Sequence, residues 1–319
     1  MKVLLTGGAG FIGSHLLDRL VQEHQVTIID RLDTSGNLNR LERYRNDKRV
    51  RFFFHDLRAP FSDYLLGQLG AHEYILHLGA ATHVDRSIEA PMEFVQDNVV
   101  GTCNILDYAR KTGCRKFIQF STDEVFGPAP EGLRYKEWDR YKSGNPYAAT
   151  KAGAEELAIS FHNTYGLPVI VTHTMNVMGQ YQHPEKMIPS TIRKVRDGEL
   201  VIIHADKTRT KAGTRFYIHA KHVADAVMFL LEKGEAGEKY NIVGEREVDN
   251  LELARHIAEF VGKPLHYEMV DFHSSRPGHD LRYALCGEKM KKLGWSPPET
   301  FEEGLRETVD WYLNNPDWL

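Results

Sequence analysis

Short apolar runs recur through the first half of the chain, separated by segments with helical spacing. Val3-Leu4-Leu5-Thr6 predicts a first strand and Val26-Thr27-Ile28-Ile29 a second, which ends in Asp30. Val50 to Phe54, Tyr74 to Leu78, Phe117 to Phe120 and Val169 to Val171 read as further strands. Apolar residues at 3.6-residue intervals predict helices between them, most clearly over Asn98 to Arg110 and Ala148 to Tyr165. Strands apolar on both faces that alternate with helices predict an α/β fold, a doubly wound parallel sheet of Rossmann type covered on both sides. After about Thr172 the alternation weakens, and Pro184, Pro189, Pro264, Pro277, Pro297 and Pro298 interrupt it. Residues 1–172 are therefore expected to form the dinucleotide-binding part, with segments near 215–245 returning to it and Tyr240 to Val243 adding a strand. Residues 173–319 are expected to be mainly a smaller substrate-binding lobe.

The bulk composition narrows the function classes. With 319 residues, 42% of them hydrophobic, the chain is long enough for a sizeable core. No apolar run approaches the roughly 20 residues of a membrane span, and the first apolar run reads as a strand and not as a signal peptide. A net charge of −4 provides no basic footprint for nucleic acid. Cys103, Cys114 and Cys286 are odd in number and widely spaced, which fits a reducing cytoplasm and no disulfide framework.

Gly7-x-x-Gly10-x-x-Gly13 follows a strand and opens a helix, the setting that a dinucleotide site requires. Glycines there let the backbone approach a pyrophosphate, whose charge the helix N-terminus stabilises. Gly7, Gly10, Phe11, Ile12 and Gly13 are the candidates. Asp30 at the end of the second strand is placed to accept hydrogen bonds from a ribose, which favours NAD over NADP. Arg31 beside it works against that preference, because an arginine there can hold the extra phosphate. Asp56, Leu57 and Ala80 follow later strands and are candidates to line the same site.

Tyr147 and Lys151 are spaced i, i+4 and project from one helix face. A phenol has an unperturbed pKa of about 10, so it becomes a useful base only beside positive charge such as an ammonium or a nicotinamide. Ser121-Thr122-Asp123-Glu124 ends the fifth strand, at the carboxyl edge where such sheets bind ligands. Thr122 can bond the hydroxyl that Tyr147 deprotonates. Asp123 and Glu124 add an acid and a base that hydride transfer alone does not need, and so point to elimination of water. Asn98 is expected to be a structural hydrogen-bonding residue near the lysine, or a helix cap.

These motifs resemble the extended short-chain dehydrogenase/reductase family, and within it the nucleoside-diphosphate-sugar 4,6-dehydratases. The resemblance covers nearly the whole chain. It is carried by Thr6 to Gly13, His83-Val84-Asp85-Arg86-Ser87-Ile88, Ser121 to Gly127, Tyr147-Ala148-Ala149-Thr150-Lys151, Pro184 to Pro189, and Arg276-Pro277-Gly278-His279-Asp280-x-Arg282-Tyr283. It implies recycled NAD and a nucleoside-diphosphate hexose, with dTDP-glucose as the expected substrate. By resemblance Tyr147 deprotonates the sugar 4-hydroxyl, Glu124 removes the hydrogen on carbon 5, and Asp123 protonates the departing 6-hydroxyl. His83, Ser87, Asn176, Lys186, Met187, Arg215, Arg276 and His279 are then the substrate-binding candidates, with an arginine fork suited to phosphate. A homodimer is implied, through Asn98 to Arg110 and Ala148 to Tyr165. Simple 4-epimerases of this family lack the acid–base pair.

Three features depart from the family pattern. Phe126 stands where a tyrosine is usual, and the common Asn-x-Tyr-Gly-Pro run reads Asn176-Val177-Met178-Gly179-Gln180. The loop before Arg215 is about five residues longer than the family pattern. That loop carries Lys207, Arg209 and Lys211, and Ile203 falls where an aromatic ring often stacks on the base. The basic loop over 204–214 is expected either to clamp a diphosphate or to be a solvated turn. Among sixteen histidines, His219 and His222 share i, i+3 spacing, but no carboxylate or cysteine set completes a metal geometry. They are expected to be helix-start or surface residues. Rival readings are a 4-epimerase or 5,6-dehydratase on the same scaffold, and a non-catalytic dinucleotide sensor.

Overall fold

The computed structural model describes residues 1–271 and 281–319. Six apolar runs form the strands β1 (Lys2–Thr6), β2 (Gln25–Asp30), β3 (Val50–Phe54), β4 (Tyr74–His77), β5 (Lys116–Thr122) and β6 (Val169–Thr174). Short strands β7 (Asn176–Met178), β8 (Val201–Ala205) and β9 (Thr214–His219) follow. Then β10 (Lys239–Ile242) returns beside β6, in parallel. The main sheet has seven strands in the order β10-β6-β5-β4-β1-β2-β3, and every pairing in it is parallel. This is a Rossmann-type arrangement. Strand order reverses at β1, so the carboxyl ends of β1 and β4 open a crevice there.

Both faces of the sheet are covered because its strands are apolar on both sides. Leu16, Leu17 and Leu20 of the helix Phe11–Leu20 pack with Val223, Val227 and Leu230 of the helix Ala220–Lys233 on one face. Ile105, Leu106, Tyr108 and Ala158 cover the other, from the helices Gly101–Thr112 and Pro146–Tyr165. The helix expected over Asn98 to Arg110 is thus split: Val95–Val100 is a π-helical turn, and regular helix starts at Gly101. Such turns shift side chains by one position and recur at functional sites. Here the shift brings the Asn98 amide onto both backbone groups of Ala81, at 2.8 and 3.0 Å, and onto Thr150 Oγ1 at 3.0 Å. Asn98 is therefore the brace between the β4 loop and the Tyr147 helix.

The later half adds two small sheets, β11 (Glu247–Asp249) with β9 and β7, and β12 (Tyr267–Asp271) with β8. The basic loop before Arg215 is a self-contained turn. Asp206 accepts from Thr208 Oγ1 at 2.6 Å and from the Thr210 and Lys211 amides at 2.8 and 3.1 Å, and Ala205 bridges to Ala212. Lys207, Arg209 and Lys211 are exposed and do not line the crevice, the placement of a solvated turn. Among the described residues no helix is long and apolar enough to cross a membrane.

Candidate active site

One cleft of about 980 Å³ runs from the glycine turn, past the end of β5, to β8 and β9. Its cofactor end is built by close backbone approach. Gly7 has φ +70°, and a Cβ on Gly13 would lie 2.1 Å from the Gly7 carbonyl oxygen. Only glycine permits that contact, so the amide-rich start of the helix Phe11–Leu20 stays open to a phosphate. Gly10, Phe11, Ile12, Asp56, Leu57 and Ala80 all line this end. Asp30 is fixed by two backbone donors, Ala9 N at 3.0 Å and Leu32 N at 2.9 Å. Burial pushes its carboxyl upward against those donors. The open cradle and the anchored carboxylate fit NAD.

Arg31 does not oppose this. Its guanidinium holds Asp97 through two bonds of 2.5 and 2.7 Å and reaches Asp33 at 2.5 Å. Arg58 is committed to Asp56, and Arg40 to the carbonyls of Ala9, Ser35 and Tyr181. The cations on this rim already have partners, so a 2′-phosphate would gain little from them and would meet Asp30. NAD should therefore bind at least about tenfold tighter than NADP, since a single misplaced charge contact at a partly buried site exceeds 1.4 kcal/mol. Equal affinity for the two in calorimetry would refute the arrangement.

The chemical end is assembled by β5 and the helix Pro146–Tyr165. β5 stops in a tight turn, Asp123–Phe126, which Thr122 caps by accepting from Glu124 N at 3.3 Å. Thr122 Oγ1 also donates to Asp123 Oδ1 at 3.0 Å and is within hydrogen-bonding reach of the Tyr147 phenol. Asn145 and Pro146 start the following helix, a capping residue and a proline in the positions that favour helix entry. Tyr147 and Lys151 then face the cleft with Thr122, Asp123 and Glu124. Lys151 Nζ donates to Phe120 O at 2.6 Å, and burial lowers its pKa to about 8. Burial raises the phenol of Tyr147, and the Glu124 charge adds to that. In this environment the phenol keeps its proton until positive charge arrives beside it.

The two carboxyls are perturbed in the same direction. Burial raises Asp123 to about 6 and Glu124 to about 7, the second also because of the Asp123 charge beside it. Arg215 and Lys186 pull Glu124 back down, and Arg215 does the same for Asp123. Like charges this close share protons, so near neutrality the pair holds about one proton between them. One carboxyl can then give a proton while the other takes one.

His83, Asn176, Lys186, Met187 and Arg215 line the remainder of the cleft as expected for substrate contacts. The Arg215 guanidinium lies 4.6 Å from the centre of the Tyr283 ring and donates to the carbonyls of Thr214 and Leu281. Ser87 corrects the sequence expectation. It is fully buried outside the cleft, where its hydroxyl accepts from Tyr147 N at 3.1 Å and donates to Val84 O at 2.6 Å. It holds the tyrosine backbone and does not line the cleft. Ile203 is a second correction, because it is fully buried among Val195, Val201 and Ala254. Strand alternation instead turns Ile202 and His204 into the cleft. Phe126 is fully buried, its ring stacked on Tyr135 at 5.4 Å, so the missing hydroxyl lies away from the chemistry. His219 caps the helix Ala220–Lys233, as expected of a helix-start residue, but it and His222 are buried and not on the surface. Arg276 and His279 lie outside the described residues. Asn145, which sequence reasoning passed over, donates to Glu124 Oε2 at 3.1 Å; the Asn-Pro pair before Tyr147 was its signal.

Comparison with known proteins agrees with this geometry. A family model described as GDP-mannose 4,6 dehydratase matches residues 4–308. The dTDP-glucose 4,6-dehydratase of Escherichia coli is 36% identical over 351 residues, covering 100% of this chain and 95% of that protein. A trifunctional UDP-glucose 4,6-dehydratase/UDP-4-keto-6-deoxy-D-glucose 3,5-epimerase/UDP-4-keto-L-rhamnose-reductase of Arabidopsis thaliana is 38% identical over 326 residues. That match covers 99% of this chain and 48% of the plant protein, so the chain spans about half the length of that relative. Among solved structures, a dTDP-glucose 4,6-dehydratase from Streptomyces venezuelae with NAD and TYD bound superposes with a TM-score of 0.92. It is 36% identical, and the match covers 100% of this chain and 98% of that one. The chain belongs to this family of nucleotide-sugar 4,6-dehydratases, a branch of the extended short-chain dehydrogenase/reductases.

Proposed function

We propose that the protein is an NAD-dependent 4,6-dehydratase of a nucleoside-diphosphate hexose, with dTDP-glucose as its first substrate. The observation that carries this reading is the Asp123–Glu124 pair set opposite Tyr147 in one cleft. An epimerase has no use for such a pair, and a non-catalytic sensor has no use for the assembled Thr122, Tyr147 and Lys151. Gly7, Gly10, Gly13 and Asp30 hold the dinucleotide, with Lys151 and Tyr147 at its reactive end. Residues 1–172 with the returning strand β10 form the cofactor part, and 173–319 mainly the substrate lobe.

When bound, NAD accepts a hydride from carbon 4, returns it at carbon 6 and supplies positive charge beside the phenol. Tyr147 takes the proton of the 4-hydroxyl, aided by Thr122, and that proton passes to solvent while Asp123 regains one after elimination, so both groups end the cycle as they began. The resulting ketone acidifies carbon 5, and Glu124 takes the proton from that carbon. The bond between carbon 6 and oxygen breaks as Asp123 gives its proton to the departing hydroxyl, so one water leaves and a double bond joins carbons 5 and 6. Glu124 then returns its proton to carbon 5, and the product is a 4-keto-6-deoxy sugar. Asn176, Lys186, Met187, His83 and Arg215 hold the sugar and diphosphate, the two cations meeting phosphate charge.

Supplying dTDP-, UDP-, CDP- and GDP-glucose in turn and following mass tests the reading. Loss of one water from dTDP-glucose, with at least about tenfold lower kcat/KM for the others, is the expected result; a pocket that discriminates by one or two polar contacts gives that ratio. Unchanged mass with altered stereochemistry at carbon 4 would replace dehydration by epimerisation. The partner we propose is a second copy of the chain, docked through Asn98 to Arg110 and Ala148 to Tyr165, in the cytoplasm. A single-chain mass in light scattering would rule that assembly out.

A further inference from the structure

Asn145 is bonded at both ends of its amide. Its Oδ1 accepts from Ala148 N at 2.8 Å, which caps the helix that carries Tyr147 and Lys151. A backbone N–H can only donate, so the oxygen must face it and the NH₂ must face the other way. There Nδ2 donates to Glu124 Oε2 at 3.1 Å. The side chain is 6% exposed, so water does not substitute easily for either bond. The approach is enforced by the intervening chain. Gly127 has φ +75°, and a Cβ on it would stand 2.2 Å from the Lys142 carbonyl oxygen; Lys142 N in turn donates to Val125 O at 3.0 Å. The segment leaving the Asp123–Glu124 turn is thereby folded back against it, which delivers Asn145 to Glu124.

The two carboxyls are not equivalent in this environment. Asp123 receives the Thr122 hydroxyl on Oδ1, whereas its Oδ2 is buried without a hydrogen-bond partner. Glu124 receives the side-chain amide of Asn145, whereas Asp123 is held by the backbone amides of its own turn. An amide N–H opposite a carboxyl oxygen favours the ionised form and fixes the plane of the group. A proton-bearing Asp123 Oδ2, by contrast, is unencumbered to donate to a leaving oxygen.

On the reading of Glu124 as the base, we propose that Asn145 is a positioning residue that aims the Glu124 carboxylate at carbon 5 and ties it to the helix bearing Tyr147. It joins the oxidising and eliminating halves of the site through one amide. Its donor works against burial and the Asp123 charge, which together still raise the Glu124 carboxyl to about 7.

The two functions of the amide separate in variants. Serine caps helices about as well as asparagine, so Asn145→Ser keeps the cap and removes the donor to Glu124. Asn145→Asp keeps the cap and puts a second carboxylate where the donor was. With dTDP-glucose in deuterium oxide, both should melt within a few degrees of the parent and slow product formation about tenfold or more, the value of one hydrogen bond to a charged group. Reduced cofactor should accumulate during turnover, because the oxidation half is spared. Without its donor Glu124 ionises only at higher pH, so the acid limb of the rate profile should move upward, further for Asn145→Asp. Wild-type rates and an unmoved acid limb in both variants would overturn the proposal, as would a fall in melting temperature with an unmoved limb, which is a purely structural effect. Glu124→Gln run beside them keeps the two levels apart. If it eliminates water normally, the assignment of Glu124 itself fails. If it is inactive while Asn145→Ser is wild-type, only the role of Asn145 fails.

Discussion

Glu124→Gln is expected to lower the rate of water loss by about 10²–10⁴-fold, the range that a positioned general base contributes. The amide keeps the volume of the carboxyl and can still accept from Asn145, so Tyr147, Lys151 and the glycine turn should stay in place. Oxidation at carbon 4 should therefore proceed while carbon 5 keeps its hydrogen, read as reduced cofactor without loss of water or uptake of solvent deuterium. Full turnover would remove Glu124 from its role. The same substitution should not destabilise the fold. The folded-state pKa of Glu124 is raised from 4.5 to about 7, mainly by burial, so the folded protein binds this proton more tightly than the unfolded chain does. Stability from this group is fully present below about 4.5 and is lost as pH rises toward 7. Glutamine avoids that loss. The variant should melt at the same temperature as the parent or higher at pH 8, and the gap should close at pH 4; a melting temperature several degrees lower at pH 8 would contradict the assigned burial. Activity and stability are expected to move in opposite directions at one residue, as they do where a strained charge is kept for chemistry.

Much of the site is legible in the chain because it hangs on local rules. Gly7, Gly10 and Gly13 follow a strand and open a helix, Asp30 ends the next strand, and Tyr147 and Lys151 are one helical turn apart. Each of these placements follows from period and position alone. The return of residues 239–242 beside β6 was also readable, as an isolated apolar run after a helix. What eluded the sequence depends on contacts between distant segments or on a shift of one residue. Ser87 falls in a motif that lines the cleft, yet strand and helix geometry turns it inward to the Tyr147 backbone. Ile203 and His204 are neighbours, and the alternation of a strand decides which of them faces the cleft. The neutralisation of Arg31 by Asp97 spans 66 residues and depends on the π-helical turn that presents Asp97, which no 3.6-residue pattern reveals. Charge alone left the basic loop open between a phosphate clamp and a solvated turn, and the contact that shapes it, Asp206 gathering its backbone amides, carries no periodic signal.

The second large effect is expected at Gly13. Alanine normally improves a helix over glycine by about 1 kcal/mol, because it has less backbone freedom to lose. At Gly13 that gain is overwhelmed. The added Cβ would lie 2.1 Å from Gly7 O, 2.9 Å from Gly8 Cα and 3.0 Å from Gly7 C, all of them backbone atoms. The turn has little room to yield. Gly7 donates to Ile29 O at 2.9 Å, its carbonyl takes Gly10 N at 3.0 Å, and a Cβ on Gly7 itself would stand 2.9 Å from Gly79 N. Relief requires the helix start to move away from the turn, and with it the amides that hold the pyrophosphate. Gly13→Ala should thus weaken NAD binding by at least about 100-fold, equivalent to about 2.8 kcal/mol, measured by calorimetry on the protein freed of cofactor. Gly67 is the matched control. It lies in the short helix Asp63–Leu69, and a Cβ there meets nothing within 4 Å. Gly67→Ala should leave NAD affinity unchanged and raise stability by up to about 1 kcal/mol. Should Gly13→Ala bind NAD as the parent does, the close approach of helix and turn is not what shapes the cofactor site. A parallel loss in Gly67→Ala would show instead that the effect belongs to glycine replacement in general.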